Sequence, residues 1–332
     1  GDLFGEGNLS GLRHLKKSGE GLRFLAGRVD WGAMTFIKRF MAAFPGAVLV
    51  RDREALLDDL ARLASAMAFG PGTGSVSPDY RTASLVISLG DAPLDSGVPL
   101  VSVVREIADA RVAGSCLKWA VVDPRLSTSA SRSDLWVPVI PGRDLSLAMG
   151  IMRSLLNRHP GVPGIPDRAF QQSLMAHAAA DYARECGVSE ERIATLADML
   201  AAAGEKAAVF PGRGILAQPN GAETAATILR LNLMVGSIPG SGGLTSRDDR
   251  FLEDAYARIM GPLQYKETPP TTDLRAKALI AWEADPVYDN PEATPALLKD
   301  RREIPLFVAI DRQITETSVY ADYILPDTTY LE

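Results

Sequence analysis

The sequence contains little cysteine and little histidine, and this scarcity removes several classes of site. Its two cysteines, Cys116 and Cys186, do not form a CxxC pair, and its three histidines are scattered along 332 residues. Zinc and iron–sulfur sites need clustered thiolate or imidazole ligands, so the sequence predicts neither within this chain. We interpret both cysteines as buried thiols, although one disulfide between them stays open.

Long apolar runs and excess positive charge are also lacking. No apolar run approaches the roughly 20 residues that a membrane-spanning helix needs, which argues against direct membrane insertion. The net charge is -6 and the pI is near 5.3, whereas a nucleic-acid partner would need a basic face. With 332 residues, 46% of them hydrophobic, the chain can bury a large core and should hold about two domains.

The two ends of the chain are typical of the inside of a longer protein. The chain opens on GDLFGEG without a methionine and closes on PDTTYLE, directly after the strand-like YIL. We therefore expect the sequence to be a segment of a longer protein.

Strand patterns alternate with helical patterns along most of the chain. The segments GAVLVRD, SLVISLGD, CLKWAVVD, KALIAWEADP and PLFVAID are typical of strands, whereas REALLDDLARLASAMAF and LVSVVREIADARVAG have apolar residues at helical spacing. Residues 145–203 are mostly helical, with a helix start at Ser189 and a stop at Gly204.

This order predicts an α/β fold with two lobes, each a parallel sheet flanked by helices. We assign residues 1–75 to the amino-terminal part of the first lobe and residues 76–205 to a second, dinucleotide-binding lobe. Residues 206–332 are expected to return to the first lobe.

Several predicted strands end in residues that suit an anionic ligand. These motifs are GDAP at 90–93, DPR at 123–125, PGRD at 141–144, PGRG at 211–214 and WEADP at 282–286. Glycine lets backbone N–H groups approach an anion, and a following helix N-terminus adds a favourable dipole. A carboxylate there can accept hydrogen bonds from ribose hydroxyls or from guanine. Each motif alone is also typical of a turn or a helix cap, and that interpretation stays open.

In their order along the chain, these segments resemble the molybdopterin oxidoreductase family, the dimethyl-sulfoxide-reductase type of catalytic subunit. The resemblance rests on SLGDAPLDSG, VVDPRLSTSASRSDLWVPVIPGRDLSLAMGIM, PGRGILAQPNGAETAATILRLNLMVGSIPGSGG and FVAIDRQITETSVYADYILPDTTYLE. The opening GDLFGEG is most similar to the tetrathionate, thiosulfate and polysulfide reductase branch.

The resemblance implies a function for the full-length protein. It would hold molybdenum or tungsten between two molybdopterin guanine dinucleotides and reduce a small sulfur-type or related oxo-substrate by two electrons in anaerobic respiration. An iron–sulfur cluster would lie only in an amino-terminal region that this chain lacks. The implied first partner is an iron–sulfur electron-transfer subunit, with a membrane-anchor subunit as a second candidate. The implied location is the periplasm or cell exterior, with the cytoplasm left open, and the segment alone is expected to be inactive.

The resemblance also implies which residues bind the cofactor. Asp123 would lie beside the nucleoside, Arg125 would face phosphate or stabilise the turn, and Asp144 would bind guanine. Thr128 or Ser127 would add a hydroxyl. The predicted set is Gly90, Asp91, Asp123, Arg125, Thr128, Gly142, Asp144, Gly212, Gly214, Gln218, Glu283, Thr315, Glu316 and Asp322.

The sequence gives one candidate metal ligand and no catalytic group. Asp52 is the only oxygen ligand in register, with Glu54 as its neighbour, but an acid directly before a helix is also a usual N-cap. No general acid or base is predicted.

Two alternative functions, each from a different class of protein, stay open. The first is a non-catalytic electron-transfer or assembly subunit that kept the fold, against which Asp123, Asp144, Gly212 and Gln218 argue. The second is an NAD- or flavin-binding enzyme with PGRGILAQPNG as its phosphate loop, which lacks a full GxGxxG after a strand.

Overall fold

The structure is a computed structural model of the chain. It describes residues 19–27, 29, 31–51, 53–96, 100–112, 117–164, 167–247, 266–268, 273–292, 294–300 and 302–328. The predicted metal ligand Asp52 and the first cysteine, Cys116, lie outside the described residues. Cys186 is fully buried, as expected for a packing thiol.

Most strands of the described residues match apolar runs of the sequence. In chain order they are β1 (Leu22–Ala26), β2 (Val48–Arg51), β3 (Ser75–Pro78), β4 (Leu85–Leu89), β5 (Lys118–Val122), β6 (Leu135–Val137), β7 (Ala207–Pro211), β8 (Leu244–Arg247), β9 (Lys266–Thr268), β10 (Ala278–Trp282), β11 (Phe307–Asp311) and β12 (Tyr323–Pro326). All five strands predicted from apolar runs are among them.

The helices of the described residues fall between these strands. In chain order they are α1 (Trp31–Ala42), α2 (Arg53–Phe69), α3 (Pro93–Ser96), α4 (Leu100–Val112), α5 (Thr128–Arg132), α6 (Asp144–Arg158), α7 (Arg168–Met175), α8 (Ala179–Cys186), α9 (Glu190–Ala203), α10 (Arg213–Leu216), α11 (Gly221–Met234), α12 (Pro286–Asp289) and α13 (Thr294–Lys299). The Ser189 side chain accepts a hydrogen bond from the Arg192 amide and Gly204 caps the other end of α9, so both predicted helix signals are confirmed.

The strands form two parallel sheets and one antiparallel pair. One sheet has the order β12-β11-β10-β1-β2-β9, another has the order β6-β5-β4-β7, and β3 pairs with β8. Every pair within the two larger sheets is parallel. The predicted α/β class with parallel sheets flanked by helices is confirmed.

The chain divides into two compact units that differ from the predicted lobes. The first unit contains residues 1–56 and 252–332, and the second unit contains residues 57–251. The predicted boundary at 206 fails because β7 pairs with β4 from Leu85↔Ala207 to Leu89↔Pro211. The boundary at 75 moves because α2 contributes Leu57 to the core of the second unit. Residues 57–75 and 207–251 therefore belong with β4 to β6.

The sheet of the second unit has an apolar core on each face. One face, including Ile87 and Val122, packs with α6, α9 and α11. The other face, including Trp119, packs with residues of α4 and β8. A sheet that is buried on both sides explains why its strands are continuous apolar runs without polar alternation.

The sheet of the first unit is covered in the same way. Leu279 and Phe307 pack with residues of α12 and α13 on one face. Phe24 and Leu49 pack with Ile37 and Met41 of α1 on the other.

Side chains cover the outer edge of β7. The fully buried Asn232 of α11 accepts a hydrogen bond from the Val209 amide at 2.7 Å and donates to the Val209 carbonyl at 2.8 Å. Ser237 donates to the Ala207 carbonyl at 2.6 Å. Side-chain amide and hydroxyl groups therefore form hydrogen bonds with the edge of β7 that does not pair with β4.

Within the described residues, no helix is both long and apolar enough to cross a membrane.

Candidate functional site

Four of the predicted motifs meet at one edge of the second unit's sheet. The loops GDAP, DPR, PGRD and PGRG follow β4, β5, β6 and β7, which run parallel. The chain moves from β4 to β5 on one side and later returns as β7 on the other side of β4. In open α/β sheets a ligand crevice forms at such a reversal, outside the carboxyl ends of the strands.

The loops after β4 and β7 approach each other at backbone distance. The Gly212 amide donates to the Leu89 carbonyl at 2.8 Å, and the Gly214 amide donates to the Gly90 carbonyl at 3.1 Å. A Cβ on Gly212 would lie 2.3 Å from the Asp91 Cβ, and one on Gly214 would lie 2.9 Å from the Gly90 oxygen. Glycine is therefore required at both positions by close approach.

The PGRD turn carries Asp144 into a buried position. Gly142 has a φ of +78° and the Arg143 amide donates to the Ile140 carbonyl at 3.0 Å, as in a type II turn with proline before glycine. The N-cap of α6 is Arg143, and Asp144 is the first helical residue. The N-cap interpretation of Asp144 is therefore wrong. Its side chain instead accepts a hydrogen bond from Gln218 Nε2 at 2.9 Å.

Asp144 lies in an environment that disfavours its charge. It is 4% exposed and Asp123 is 8% exposed. Burial raises the pKa of Asp144 and the nearby Asp123 charge adds to the rise, whereas the Gln218 hydrogen bond lowers it. A carboxylate has about four acceptor positions, so the one bond from Gln218 leaves others for a ligand. Two buried acids thus lie together at the sheet edge, ready to accept hydrogen bonds.

The DPR motif forms a turn that leaves its arginine exposed. Asp123 Oδ1 accepts a hydrogen bond from the Arg125 amide at 2.9 Å, and the Trp136 indole donates to the Asp123 carbonyl at 2.9 Å. Ser127 caps α5 by accepting from the Ala130 amide at 3.1 Å. Arg125 is exposed and makes no ion pair with the residues that the structure describes. Its guanidinium can therefore reach an anion at this edge.

Asp95 is a residue of this edge that sequence reasoning missed. Its carboxylate accepts hydrogen bonds at 3.1 Å from the Thr128 amide, the Ser129 amide and the Ser129 hydroxyl. Burial acts to raise the pKa of Asp95, but the hydrogen bonds from Ser129 and Thr128 together bring it below its usual range. The first amides of α5 are thus satisfied by Asp95. No local pattern links two segments 33 residues apart in this way.

The structure does not gather the predicted residues of the first unit into one place. Glu283 follows β10 with a φ of 47°, and its carboxylate pairs with Arg312 Nε at 2.8 Å. Thr315 lies in the loop after β11 and donates to Asp311 at 3.3 Å, and Glu316 is exposed. Asp322 accepts from the amide of Phe307, the first residue of β11, at 2.8 Å. Asp322 therefore lies at the amino ends of the strands, the edge opposite Glu283 and Thr315.

Further contacts that the sequence did not predict tie together the first unit's loops. Thr317 donates to the Asp285 carboxylate and accepts from the Val287 amide at 3.0 Å. The Trp282 indole donates to Asp327 at 2.7 Å. The loops after β10, β11 and β12 are held by these polar contacts.

The described residues give no support for a metal site. They contain no group of three or more histidine, cysteine, aspartate or glutamate side chains placed to hold a metal ion. The proposed ligand Asp52 lies outside them, so its role stays a prediction.

The fold and the sheet-edge loops agree with the comparison with known proteins. The profile of the molybdopterin oxidoreductase family matches residues 12–332. The chain belongs to the molybdopterin oxidoreductase family. This membership excludes the separate NAD- or flavin-binding class and confirms the resemblance found in the sequence motifs.

Named relatives place the chain near the reductases of sulfur compounds. A tetrathionate reductase subunit of Salmonella typhimurium is 24% identical, with 100% of this chain and 48% of that protein covered. The molybdopterin-containing subunit of thiosulfate reductase from the same organism is 24% identical, with 78% of this chain and 39% of that protein covered. The chain thus spans about half or less of the length of these relatives.

A solved structure shows the same fold. Acetylene hydratase from Pelobacter acetylenicus superposes with a TM-score of 0.72 at 17% identity, covering 98% of this chain and 52% of that one. At this identity the likeness concerns the fold alone.

Proposed function

We propose that the second unit binds the guanine dinucleotide form of the molybdopterin cofactor at the carboxyl edge of β4 to β7. The observation that carries this proposal is Asp144, an acid that is 4% exposed yet bonded by Gln218 and neighboured by Asp123. Burying a carboxylate without a full set of donors is costly. Guanine offers two adjacent donors, N1–H and the N2 amino group, that a single carboxylate can accept.

The other residues of the edge fit the remaining parts of such a ligand. Gly212 and Gly214 hold two backbones so close that a Cβ cannot be accommodated, which fixes the PGRG loop against the loop after β4. Arg125 is exposed and close to Asp123, whose carboxylate organises the turn. The buried acids therefore fit the donors of a guanine, and the exposed Arg125 can face a phosphate of the same nucleotide.

The chemistry that the cofactor would supply is two-electron redox at molybdenum or tungsten. The chain's own residues would bind and orient the dinucleotide. By analogy with the tetrathionate and thiosulfate reductases, we propose that the whole protein reduces a small sulfur-type oxo-substrate and works with an iron–sulfur electron-transfer subunit outside the cytoplasm. A second pterin dinucleotide and the metal would complete the site.

Asp144→Asn in the whole protein is expected to weaken guanine nucleotide binding at this site at least about tenfold, so that the guanine nucleotide released falls toward the share held by the second dinucleotide site. Each charge-assisted hydrogen bond lost is worth roughly 1.5–3 kcal/mol, and about 1.4 kcal/mol is tenfold in affinity. The thermal midpoint should change little, because burial already disfavours the charged form of Asp144. Guanine nucleotide released from the purified protein and the thermal midpoint are measured on the same sample.

The matched control for this experiment is Asp95→Asn. Asp95 is also an acid at this sheet edge, but its hydrogen bonds go to α5. It should lower the midpoint and leave nucleotide per folded molecule close to that of the wild type. A fall in midpoint for Asp144→Asn with unchanged nucleotide content would show that Asp144 is structural and would remove the main support for the site.

The 332-residue chain alone is expected to hold no stoichiometric molybdenum or tungsten and to turn over no substrate. Its described residues contain no cluster of metal-ligating side chains, and it covers only 48% of the tetrathionate reductase relative. Elemental analysis of the purified chain checks this expectation. One equivalent of either metal per chain would contradict it.

A further inference from the structure

The second unit contains a cleft between α6 and the first turns of α8 and α9. Its volume is about 330 Å³, near the lower end of the range for sites that hold small organic ligands. Its polar lining consists of Ser154, Asn157 and Arg158 from α6 and Glu190 and Glu191 from α9. Ser154 follows Asp144 by ten residues on α6, so the cleft lies about 15 Å along the helix axis from the proposed guanine site.

The α6 wall of the cleft carries a buried hydroxyl group without a partner. Ser154 is 8% exposed and lines the cleft, and its hydroxyl makes no hydrogen bond with the described residues. A serine within a helix can bond the carbonyl four residues earlier, as Ser65 does to Ala61 at 2.9 Å. A buried polar group without any partner is costly. The Ser154 hydroxyl is therefore available to a ligand in the cleft.

The next turn of α6 adds an amide donor and an arginine whose charge is already balanced. Asn157 Oδ1 accepts a hydrogen bond from Arg153 Nη1, which leaves the Nδ2 donors of Asn157 for a ligand. Arg158 donates to the Asp198 carboxylate from Nε at 3.0 Å and from Nη2 at 2.6 Å. Hydrogen bonds from Arg158 and His159 lower the pKa of Asp198 to about 2. Asp198 is therefore ionised at neutral pH and balances the charge of Arg158.

The α9 wall of the cleft carries two carboxylates that no described cation neutralises. Glu190 and Glu191 are the first two residues of α9, and neither makes an ion pair with a described residue. Ile193, which is 3% exposed, adds an apolar surface to the same cleft. Because the arginine of the α6 wall is already balanced, the cleft carries a net negative charge. Acids in the first turn of a helix are ordinary by themselves, so a binding site is indicated here only by their combination with the Ser154 hydroxyl.

We propose that this cleft binds a small amino alcohol, with its ammonium group at Glu190 and Glu191 and its hydroxyl at Ser154. An ammonium group has three donors and no acceptor, which suits two carboxylates, whereas a hydroxyl group can both donate and accept. The ligand hydroxyl can therefore bond the Ser154 hydroxyl and accept from Asn157 Nδ2, and its methylene groups can contact Ile193. An organic cation fits better than a metal ion, because the described residues contain no group of three or more metal-ligating side chains. This second site is independent of the proposed guanine site.

The test uses the whole protein and three straight-chain probes of equal carbon number, aminobutanol, butylamine and butanediol. Saturation-transfer NMR titration in phosphate buffer, which contains no competing amine, measures the affinity of each probe. Aminobutanol should bind with a dissociation constant near about 1 mM. Butylamine lacks the hydroxyl group and should bind about tenfold more weakly. Butanediol lacks the charge, and its affinity should fall at least about tenfold below that of aminobutanol.

Three variants separate the hydroxyl group from the charge. Ser154→Ala should lower the affinity for aminobutanol to that for butylamine, leave butylamine binding unchanged, and leave the thermal midpoint unchanged or raised, because it removes an unpaired buried hydroxyl. Glu190→Gln combined with Glu191→Gln should weaken the binding of both amines at least about tenfold. Glu223→Gln is the matched control, since Glu223 is also an exposed acid in the first turn of a helix, α11, but does not line the cleft. It should leave the affinities for all three probes unchanged.

Several results would overturn the amino alcohol site. One is the absence of saturable aminobutanol binding by the wild type at concentrations up to about 50 mM. Equal affinities for aminobutanol and butylamine, or an unchanged aminobutanol affinity in Ser154→Ala, would remove the role of the hydroxyl group and with it the proposed ligand class. An equal loss of amine binding in Glu223→Gln and in the Glu190→Gln, Glu191→Gln double variant would show a general effect of protein charge and no specific site.

Discussion

Asn232→Leu is expected to lower the free energy of unfolding by roughly 2–6 kcal/mol, because it leaves two buried backbone groups without partners at about 1–3 kcal/mol each. These groups are the amide and the carbonyl of Val209 on the outer edge of β7. Leucine is similar in size to asparagine but can satisfy neither. A whole domain has only about 5–15 kcal/mol of stability, so a loss at the upper end would unfold much of the second unit. Denaturant unfolding followed by circular dichroism measures the change.

The control lies on the same helix. Thr224 is fully buried in α11, and its hydroxyl has no hydrogen-bond partner among the described residues. Thr224→Val removes a buried polar atom with almost no change in shape, so it should be neutral or stabilising. If Asn232→Leu were no more destabilising than Thr224→Val, the edge of β7 would not depend on Asn232.

The fold class could be predicted because the signals for it are local. Most strands of the parallel sheets are short apolar runs, and helical periodicity fills most of the intervals between strands. The extent of each unit could not be predicted in this way. β7 pairs with β4 across about 120 residues of chain, and its own sequence does not show which sheet it joins. The boundary at 206 therefore failed although the strand itself was recognised.

The candidate site shows the same contrast between local and long-range information. Glycines, prolines and acids after strands are visible in the sequence, and for the second unit they meet at one edge because parallel strands share their carboxyl ends. The carboxylate partners are not visible. Asp95 bonds to a helix 33 residues later, and Gln218 lies 74 residues after Asp144. Asp322 lies at the amino ends of the strands because it directly precedes β12, and its role in cofactor binding stays a prediction.

Glycine is needed at two positions, Gly142 and Gly212, for two different physical reasons. Gly142 has a left-handed φ of +78°, but a Cβ there would meet nothing within 4 Å. Gly212 has ordinary extended angles, φ -87° and ψ -174°, that any residue adopts. Its Cβ would lie 2.3 Å from the Asp91 Cβ and 2.5 Å from the Gly90 oxygen. One glycine therefore serves a turn, and the other serves the close approach of two loops.

Gly212→Ala is expected to cost about 3 kcal/mol or more of unfolding free energy, the upper end of the range for overpacking, and to reduce the guanine nucleotide bound by the whole protein. The atoms that this methyl group would meet are the Gly90 oxygen and the Asp91 Cα and Cβ, and they cannot move aside as the end of a flexible side chain can. The added methyl group would force the loops after β4 and β7 apart and break the 2.8 Å bond from the Gly212 amide to Leu89. The same displacement would disturb the sheet edge at which Gln218 donates to Asp144.

Gly142→Ala serves as the matched control, since its cost is limited to the left-handed backbone at about 1–2 kcal/mol. Chemical denaturation of both variants and the guanine nucleotide released from the whole protein test the comparison. The decisive result is the difference between the two variants. If Gly212→Ala lost no more stability than Gly142→Ala and kept the nucleotide content of the wild type, the loops after β4 and β7 would be free to separate, and the proposed site would not depend on their close approach.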